Sequence, residues 1–472
     1  MIAFLSLPIG AVLVLLLHLL KVGRRMLVGV FFAAITISFA CALGEMILGA
    51  GTYTPGAMFR IDDFTRFFIL IFTGVTALGA VAFIQDQKYS AVSESTQRST
   101  EIILTLLLLA PFAMTLVAAA TSVLALFLSM EFLAIAFYEL VALEKNRIGM
   151  EAAIKFFVVG VFSSLLFLLG AAFYYGATGT GDFTALQGIG ASPFLVASLV
   201  LMFAGIGFKM SVFPLNLWLP DVYQGAPGSI TAILAGAAKK AGFAAYLRLF
   251  IPLTLPVLSL SLGMLSWQLL IGICAAATML FGVIAAAVQQ DVKRMIAYSI
   301  ISHAGFLALG LATGTQFGYR AVLLHAIIHA LMATGIFIMI AELERNGIRR
   351  LDDYTGMAAK NFWFSMAFAL FLASLIGLPP LAGFLSKFLL FSSTVEAGMM
   401  WLVIMAVIAS VISSYFYFVV LRRMFAYAPA ADSAVFISPG ILRKIPWLVP
   451  AILLIIFGFY PQPLLQLIGK II

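Results

Sequence analysis

The chain has 472 residues, of which 64% are hydrophobic and 10% are charged, and its formal net charge is +8. Its apolar runs repeatedly exceed the length of about 18 residues that marks a membrane-spanning helix, so the composition indicates a polytopic, all-α membrane protein. The positive charge could suggest nucleic-acid binding, but the basic residues lie in short loops between apolar runs, where they act as topology signals. We therefore exclude nucleic acid as a partner and expect a lipid bilayer around the chain.

The first apolar run, Ile2 to Leu20, has no basic segment before it and no small-residue cleavage site after it. We therefore expect a retained first helix and not a cleaved signal peptide. Thirteen further runs give a predicted total of fourteen transmembrane helices. The predicted spans are 2–20, 27–50, 64–86, 102–120, 122–143, 152–176, 194–218, 228–250, 266–288, 294–313, 318–343, 362–393, 398–424 and 446–468.

The two cysteines, Cys41 and Cys274, both lie in apolar runs and have no CxxC or Cys/His spacing around them. The sequence therefore predicts no disulfide framework, no zinc site and no iron–sulfur cluster. It also lacks a GxGxxG after a strand and a GxxxxGK[ST] motif, so nucleotide chemistry is expected only on other chains. We predict that this chain holds neither a redox cofactor nor a metal.

Most basic residues fall in or beside the loops that follow odd-numbered spans, which predicts that these loops face the cytoplasm and that both termini lie on the opposite side. These residues are Lys21, Arg24, Arg25, Lys88, Arg98, Lys145, Arg147, Lys155, Lys293, Arg294, Arg345, Arg349, Arg350, Lys360, Arg422, Arg423, Arg443 and Lys444. The opposite face keeps Arg60, Arg66, Arg320 and Lys470. Five basic residues, Lys209, Lys239, Lys240, Arg248 and Lys387, instead lie inside spans or at their edges.

The seventh and twelfth spans share one feature: each is interrupted by proline and holds one lysine near the interruption. Pro214 follows Lys209, while Pro379 and Pro380 precede Lys387. Such breaks are tolerated where they line a wet or protein-packed cavity, and paired breaks in two halves point to an inverted repeat.

The breaks suggest a division into four parts. We predict an N-terminal three-helix segment (1–100), a first five-helix repeat of spans four to eight (101–265), a second, inverted repeat of spans nine to thirteen (266–425) and a C-terminal helix (426–472).

Glu131 lies near the middle of the fifth span, where an ionised carboxylate needs a nearby cation and an isolated one would take up a proton. Lys209 is the natural partner, and a contact of about 4 Å at an effective dielectric near 20 would be worth roughly 4 kcal/mol. A pair of this kind can act as a switch, because separating the two charges lets the buried lysine release its proton. The alternative is a static ion pair that clamps two helices.

Lys239 and Lys240 are adjacent and therefore point about 100° apart around one helix, so that one faces the interior while the other lies at its edge or reaches along a polar seam. Lys387 would be the terminal site of a proton relay in the second repeat. Its alternative is a lysine that snorkels toward the membrane interface. Arg248, near the end of its span, is better explained as an anchor.

His303 lies in the repeat counterpart of the Glu131 span and titrates near neutral pH, which suits a relay between lysines. A histidine bonded to a backbone carbonyl is the alternative. His325 and His329 are four residues apart and share a helix face, a spacing that can bind metal. Because no third ligand is evident, a polar inner seam is the preferred interpretation.

Four segments resemble the antiporter-like membrane subunits of respiratory complex I, and among them subunit N most closely. These segments are FKMSVFPLNLWLPDVYQGAP, DVKRMIAYSIISHAGF, LIGLPPLAGFLSKFLLF and VIASVISSYFYFVVLRRM, which look like the seventh, tenth, twelfth and thirteenth helices of that family. By this resemblance Glu131 matches the fifth-helix glutamate, Lys209 its seventh-helix partner, Lys239 the eighth-helix lysine and Lys387 the twelfth-helix lysine.

The resemblance implies a proton-translocating subunit in the membrane arm of an enzyme that passes electrons from NADH or a similar donor to a quinone. Flavin, iron–sulfur clusters and quinone would lie on partner subunits, beside other antiporter-like and small membrane subunits. The expected location is an energy-transducing membrane, such as a prokaryotic cytoplasmic membrane. The alternative is a subunit of an Mrp-type sodium/proton antiporter or of a membrane-bound hydrogenase.

The chain departs from the family pattern at three places. Asn216 stands where the family often has histidine, Lys240 adds a charge beside the expected lysine, and HAIIHA looks more like the eleventh helix of the sibling subunits L and M. These departures leave open which of the two adjacent lysines is the relay and which subunit of the family this chain is. Sodium stays open as the transported ion.

Overall fold

A computed structural model describes residues 1–86, 94–144, 146–183, 192–252, 261–262, 265–428 and 440–471. Lys88, Lys145 and the side chain of Arg98, three of the predicted loop cations, lie outside the described residues.

Almost all regular structure in these ranges is helical, which confirms the predicted all-α class. The helices are α1 (Ile2–Leu19), α2 (Arg24–Ile47), α3 (Asp63–Ile84), α4 (Glu94–Ala119), α5 (Val123–Val141), α6 (Arg147–Thr178), α7 (Pro193–Met210), α8 (Leu219–Gly225), α9 (Gly228–Ile233), α10 (Lys239–Phe250), α11 (Trp267–Ala287), α12 (Val292–Ala312), α13 (Gln316–Arg345), α14 (Met357–Lys360), α15 (Phe362–Ile376), α16 (Ala382–Glu396), α17 (Met400–Ala426), α18 (Ile441–Phe459) and α19 (Gln462–Gly469). A π-helical turn (Leu234–Ala238) joins α9 to α10, and a 3₁₀ turn covers Leu351–Tyr354. Two short antiparallel strands, β1 (Ser261–Leu262) and β2 (Leu265–Ser266), pair Ser261 with Ser266.

Within the described residues, eleven helices are long and apolar enough to cross a membrane, or twelve if the pair α18 and α19, bent by 85°, counts as one span. The membrane-spanning class is therefore confirmed. The difference from fourteen arises in three predicted spans, 228–250, 362–393 and 446–468, because each is divided into shorter helices. A hydropathy pattern cannot distinguish one long span from two half-helices of the same composition.

The chain forms two units, and the first comprises Met1–Met210 and Ala237–Leu260. Polar residues that accept hydrogen bonds from the first turn begin its helices: Asp62 from Thr65 N at 3.0 Å and Ser122 from Ala125 N at 3.2 Å. These N-caps satisfy backbone donors that would otherwise be exposed to a poorly solvating environment. They explain why α3 and α5 begin where they do.

The second unit comprises Ser211–Gly236 and Ser261–Lys470. Its centre is formed by α12 and α13, whose apolar windows are 94% buried, while α17 on the periphery is only 33% buried. Nearly every side chain within these two windows is therefore enclosed by protein and cannot reach lipid. All three histidines of interest, His303, His325 and His329, lie on these two helices.

Both predicted helix breaks are present. The first follows α7, where Ser211 has a φ of 60°, and the second follows α15, where Gly377 has a φ of 90°. Glycine adopts this left-handed conformation readily, whereas a residue with a β-carbon pays about 1–2 kcal/mol. In each break the chain leaves the helix axis at that residue and then meets proline, Pro214 or Pro379. The sequence did not predict the third interruption, the π-helical turn before α10.

Candidate functional site

Glu131 lies half-buried on α5, in the first unit. Its carboxylate accepts a hydrogen bond from the hydroxyl of Ser164 on α6. A hydroxyl donor offsets part of the desolvation of a carboxylate in this layer. Sequence reasoning did not identify Ser164, because a serine in an apolar helix gives no signal of which neighbouring helix it faces.

Lys209 lies in the last turn of α7 and belongs to the same unit. The carboxylate of Glu131 acts electrostatically on it, but no direct ion pair of 4.0 Å or shorter joins these two described residues. The ammonium instead lies 5.6 Å from the centroid of the Phe208 ring. The lysine and the acid therefore interact across a gap, while Ser164 occupies the carboxylate.

Lys239 and Lys240 begin α10 and are almost completely buried, at 3% and 0% exposure. A β-carbon on Gly242 would lie 2.8 Å from the backbone carbonyl carbon of Lys209, so α10 packs against α7 directly at Gly242. At 100° per residue, Lys239 points about 60° from Gly242 and Lys240 about 160° from it. Lys239 is therefore on the face of α10 that turns toward Lys209, and Lys240 is on the far face.

The other end of α10 is fixed by Arg248, as the anchor interpretation predicts. Its guanidinium forms two hydrogen bonds to Asp62, at 2.8 and 2.6 Å, and donates to Ala118 O at 2.7 Å and to Thr65 Oγ1 at 2.8 Å. Burial raises the pKa of Asp62, but hydrogen bonding and the charge of Arg248 outweigh burial and lower it to about 2. Asp62 is therefore ionised, and α10 is held against α3 and α4.

The second unit brings its three histidines together. His303 Nδ1 lies 3.3 Å from His325 Nε2, and His325 Nδ1 lies 2.9 Å from Ser386 Oγ on α16. The ring of His329 is 4.8 Å from that of His303, measured between centroids. All three are at most 3% exposed. The structure thus connects α12, α13 and α16 by a continuous hydrogen-bonded path of imidazole and hydroxyl groups.

The path ends beside Lys387, which follows Ser386 on α16 and is 5% exposed. Its ammonium donates to Leu375 O at 2.8 Å and to Ile376 O at 3.1 Å, the carbonyls at the end of α15 that the break leaves without helical partners. The ring centroid of Phe306 lies 4.7 Å from the same nitrogen. The amine therefore points into the break and does not snorkel toward an interface.

Two residues at the start of α12 hold the loop between α8 and α9 in place. Lys293 donates to Ala226 O at 3.0 Å and pairs with Glu344 at 3.0 Å, while Arg294 pairs with Asp221 at 2.7 Å. These contacts join the DVKR and YQGAP segments. Both motifs therefore have a structural role in holding the chain together here. They hold the chain in place directly after the first break.

Asn216, which departs from the family pattern, is completely buried in that break. Neither its amide nitrogen nor its amide oxygen has a hydrogen-bond partner among the described residues. Buried amides of this kind are usually satisfied by ordered water. The position is polar, but an amide cannot itself carry a proton at neutral pH.

The predicted relay residues divide between the units: Glu131, Lys209 and Lys239 in the first, and His303 and Lys387 in the second. In the part of the chain that the structure describes, no group of three or more histidine, cysteine or acidic residues is arranged to hold a metal ion. The three histidine rings pack against one another, with centroids 4.8 to 5.8 Å apart. Each unit thus contains buried ionisable groups beside a broken helix, an arrangement typical of ion-translocating membrane proteins.

Comparisons with known proteins define the class further. Residues 120–413 match the family described as "NADH:quinone oxidoreductase/Mrp antiporter, TM". The chain is 34% identical to F(420)H(2) dehydrogenase subunit N of Methanosarcina mazei, over 87% of this chain and 83% of that protein. It is 33% identical to NADH-quinone oxidoreductase subunit N of Parvibaculum lavamentivorans, over 90% and 87%. A subunit of respiratory complex I from Thermus thermophilus has the same fold, with a TM-score of 0.83 at 26% identity and 98% coverage of both chains.

The chain belongs to the NADH:quinone oxidoreductase/Mrp antiporter transmembrane family. This confirms the family that its broken helices and the YQGAP and GLPPLAGFLSKF segments predicted.

Proposed function

We propose that the chain is a proton-translocating, antiporter-like subunit in the membrane arm of a complex I-type oxidoreductase that passes electrons to a quinone. The relatives named subunit N support this assignment, and they differ in electron donor, one being an F(420)H(2) dehydrogenase and another an NADH-quinone oxidoreductase. The donor is therefore NADH or a similar hydride carrier. Neighbouring antiporter-like and small membrane subunits are the expected partners, and flavin, iron–sulfur clusters and quinone lie on other chains.

Protons move along the ionisable groups of the two units in this proposal. Glu131 and Lys209 form the switch, Lys239 continues the path, and His303 and Lys387 complete it. His325 extends the relay, because it lies between His303 and the serine next to Lys387. Lys239 is preferred over Lys240 because it lies on the side of α10 that faces Lys209.

The gap between Glu131 and Lys209 supports the switch over the static clamp. A clamp would hold the two charges in direct contact. Here the hydroxyl of Ser164 binds the carboxylate of Glu131, and the charge of this carboxylate still acts on Lys209. A change in this distance alters the electrostatic support of the ammonium and so its tendency to release a proton. Redox events in partner subunits would drive that change.

The observation that carries the proposal is the hydrogen-bonded path from His303 through His325 to Ser386, next to Lys387. Its test is proton uptake by the purified complex in sealed vesicles, measured together with donor oxidation. We expect Lys387→Ala and His325→Ala to abolish most proton uptake while electron transfer continues. The matched control is Lys360→Ala, which removes an exposed lysine on α14. Normal uptake per electron in both buried variants would refute the relay.

The family description also includes Mrp antiporters, so an exchange of sodium for protons is the second candidate. The two functions differ in their driving force. Donor-driven proton uptake in sodium-free vesicles supports the redox pump, whereas uptake that requires an opposing sodium gradient and no electron donor supports the antiporter. A membrane-bound hydrogenase would be distinguished by hydrogen as the donor.

The proposal includes fourteen membrane crossings and two inverted five-helix repeats, 101–265 and 266–425, between an N-terminal segment (1–100) and a C-terminal helix (426–472). The left-handed residues Ser211 and Gly377, each directly after a half-helix and each followed by proline, support equivalent positions for the two breaks. The basic-loop pattern supports termini on the non-cytoplasmic side of a prokaryotic cytoplasmic membrane. Reaction of single terminal cysteines with a membrane-impermeant reagent tests this orientation.

A further inference from the structure

An elongated apolar groove lies on the surface of the second unit, between α15 and α18. Its volume is about 680 Å³, within the range of small-molecule sites. Met366 and Leu370 form one wall, and Leu448 and Ile452 form the other. Met366 and Ile452 are 44% and 46% exposed, so the groove is open along its side. In a membrane, such a groove faces lipid.

One end of the groove is basic. Lys444 lines it, and Arg443 precedes Lys444 in the first turn of α18. The charges of Arg345, Arg443 and Lys444 all act on the carboxylate of Glu342, so these three cations lie on the same part of the unit as this acid. Three cations and one carboxylate leave an excess of positive charge at this end. It is therefore complementary to an anionic group.

The same end has the side chains of a membrane–water interface. Trp363 lines the groove and is 80% exposed, while Trp447 is buried with its ring 5.8 Å from that of Phe364. Tryptophan is enriched at the level of lipid headgroups because its ring is apolar and its N–H is polar. The basic end is thus at headgroup depth, and the apolar part extends into the hydrocarbon layer.

The groove extends over one leaflet of the membrane. It runs from Lys444 to Ile455, eleven residues later on α18, which is about 16 Å at 1.5 Å per residue. Half of a hydrocarbon core of about 30 Å is about 15 Å. Pro380 closes the deep end, because a β-carbon on Gly458 would lie 2.1 Å from its carbonyl oxygen. A spanning helix of a partner protein would need a groove across both leaflets.

We propose that this groove binds one anionic phospholipid, with its phosphate at Arg443 and Lys444 and an acyl chain along α15 and α18. Basic pockets between transmembrane helices bind acidic headgroups in this way. The acyl chain ends at the Pro379–Pro380 turn, between the half-helix whose carbonyls accept from Lys387 and the half-helix that carries it. The lipid thus supports the second break from the membrane side.

The first test is lipid retention by the assembled complex. Delipidated complex is titrated with phosphatidylglycerol vesicles, and bound phospholipid is counted by native mass spectrometry. At about 1 kcal/mol per basic residue, the double variant Arg443→Ala, Lys444→Ala should bind the lipid about 30-fold more weakly. Ala367→Phe, which fills the groove, should lose it as well. The control, Arg24→Ala with Arg25→Ala, removes a basic pair on α2 and should bind normally. Equal binding by all four complexes would overturn the proposal.

A second measurement does not depend on whether the variants assemble. Phosphatidylglycerol with a photoactivatable acyl chain is added to the unaltered complex, and the modified peptides are identified. We expect labelling within 362–376 and 441–459, with at least tenfold less from the phosphatidylcholine analogue. Absence of label from both helices, or a partner-subunit peptide cross-linked across the groove in its place, would refute the assignment to a lipid.

Discussion

Replacing Arg248 by alanine should loosen the attachment of α10 to α3. The guanidinium is 7% exposed and the carboxylate of Asp62 is 19% exposed, so water can replace only part of the lost interaction. Arg248 is the main group that lowers the pKa of Asp62 from 3.8 to about 2, a shift worth roughly 2 kcal/mol to which Thr65 and Arg60 also contribute, and the lost hydrogen bonds to Ala118 and Thr65 add about 1 kcal/mol. The sum, about 3 kcal/mol, agrees with the lower end for breaking a buried pair.

Hydrogen exchange at the start of α3 measures this loss, because the amide of Thr65 donates to Asp62. About 3 kcal/mol of local stability corresponds to an exchange rate raised roughly 100-fold. Arg60 provides the matched control: its Nε lies 3.1 Å from the same carboxylate, but its side chain is 46% exposed. Arg60→Ala should therefore raise exchange less than about fivefold. Equal effects of the two substitutions, or none for Arg248→Ala, would contradict this reasoning.

Three further predictions concern the pH dependence of the Asp62 contact, the packing of Gly242 and the ion pair of Lys293. The pKa of Asp62 in the folded protein lies below its ordinary value, so the contribution of this carboxylate to stability should be complete above about pH 4 and be lost as the pH falls toward 2. The rise in the Thr65 exchange rate caused by Arg248→Ala, corrected for intrinsic exchange, should therefore be equal at pH 7 and pH 5. Gly242→Ala should lower the melting temperature of the complex, at a cost of about 1–3 kcal/mol, while Gly176→Ala, with open space around it, should not. Lys293→Ala should lower stability by about 3 kcal/mol and speed proteolysis after α8. Unchanged cleavage would show that the loop is stable without Lys293.

The sequence predicts the long helices of this fold well, because 18 or more apolar residues have one stable solution in a membrane. It also predicts both proline breaks. It does not predict the π-helical turn Leu234–Ala238, because the alanines and the leucine favour an α-helix and the single glycine does not specify a π-helical turn. Nor does it give the number of crossings, since α15 and α16 have 15 residues each and hydropathy sums them into one segment.

At the candidate sites, sequence reasoning found the ionisable residues and missed their partners. The spacing of His325 and His329 predicts a shared face, but the proximity of His303 depends on how α12 packs against α13. The acceptors of Lys387 are backbone carbonyls, so they carry no residue signature at all. They become visible only when the last residue of α15 is known, and helix ends are the least predictable part of a sequence-based assignment.

The two lysines beside the breaks are stabilised by different kinds of interaction. Lys209 relies on the charge of a carboxylate that another side chain can bind, whereas Lys387 relies on two carbonyl dipoles that are fixed in the backbone of α15. A charge can be moved or protonated, but carbonyls move only if the half-helix moves. The first lysine is therefore suited to respond to electrostatic change in its unit and the second to displacement of the break. A membrane component packed against Pro379 and Pro380 would act on the second lysine alone.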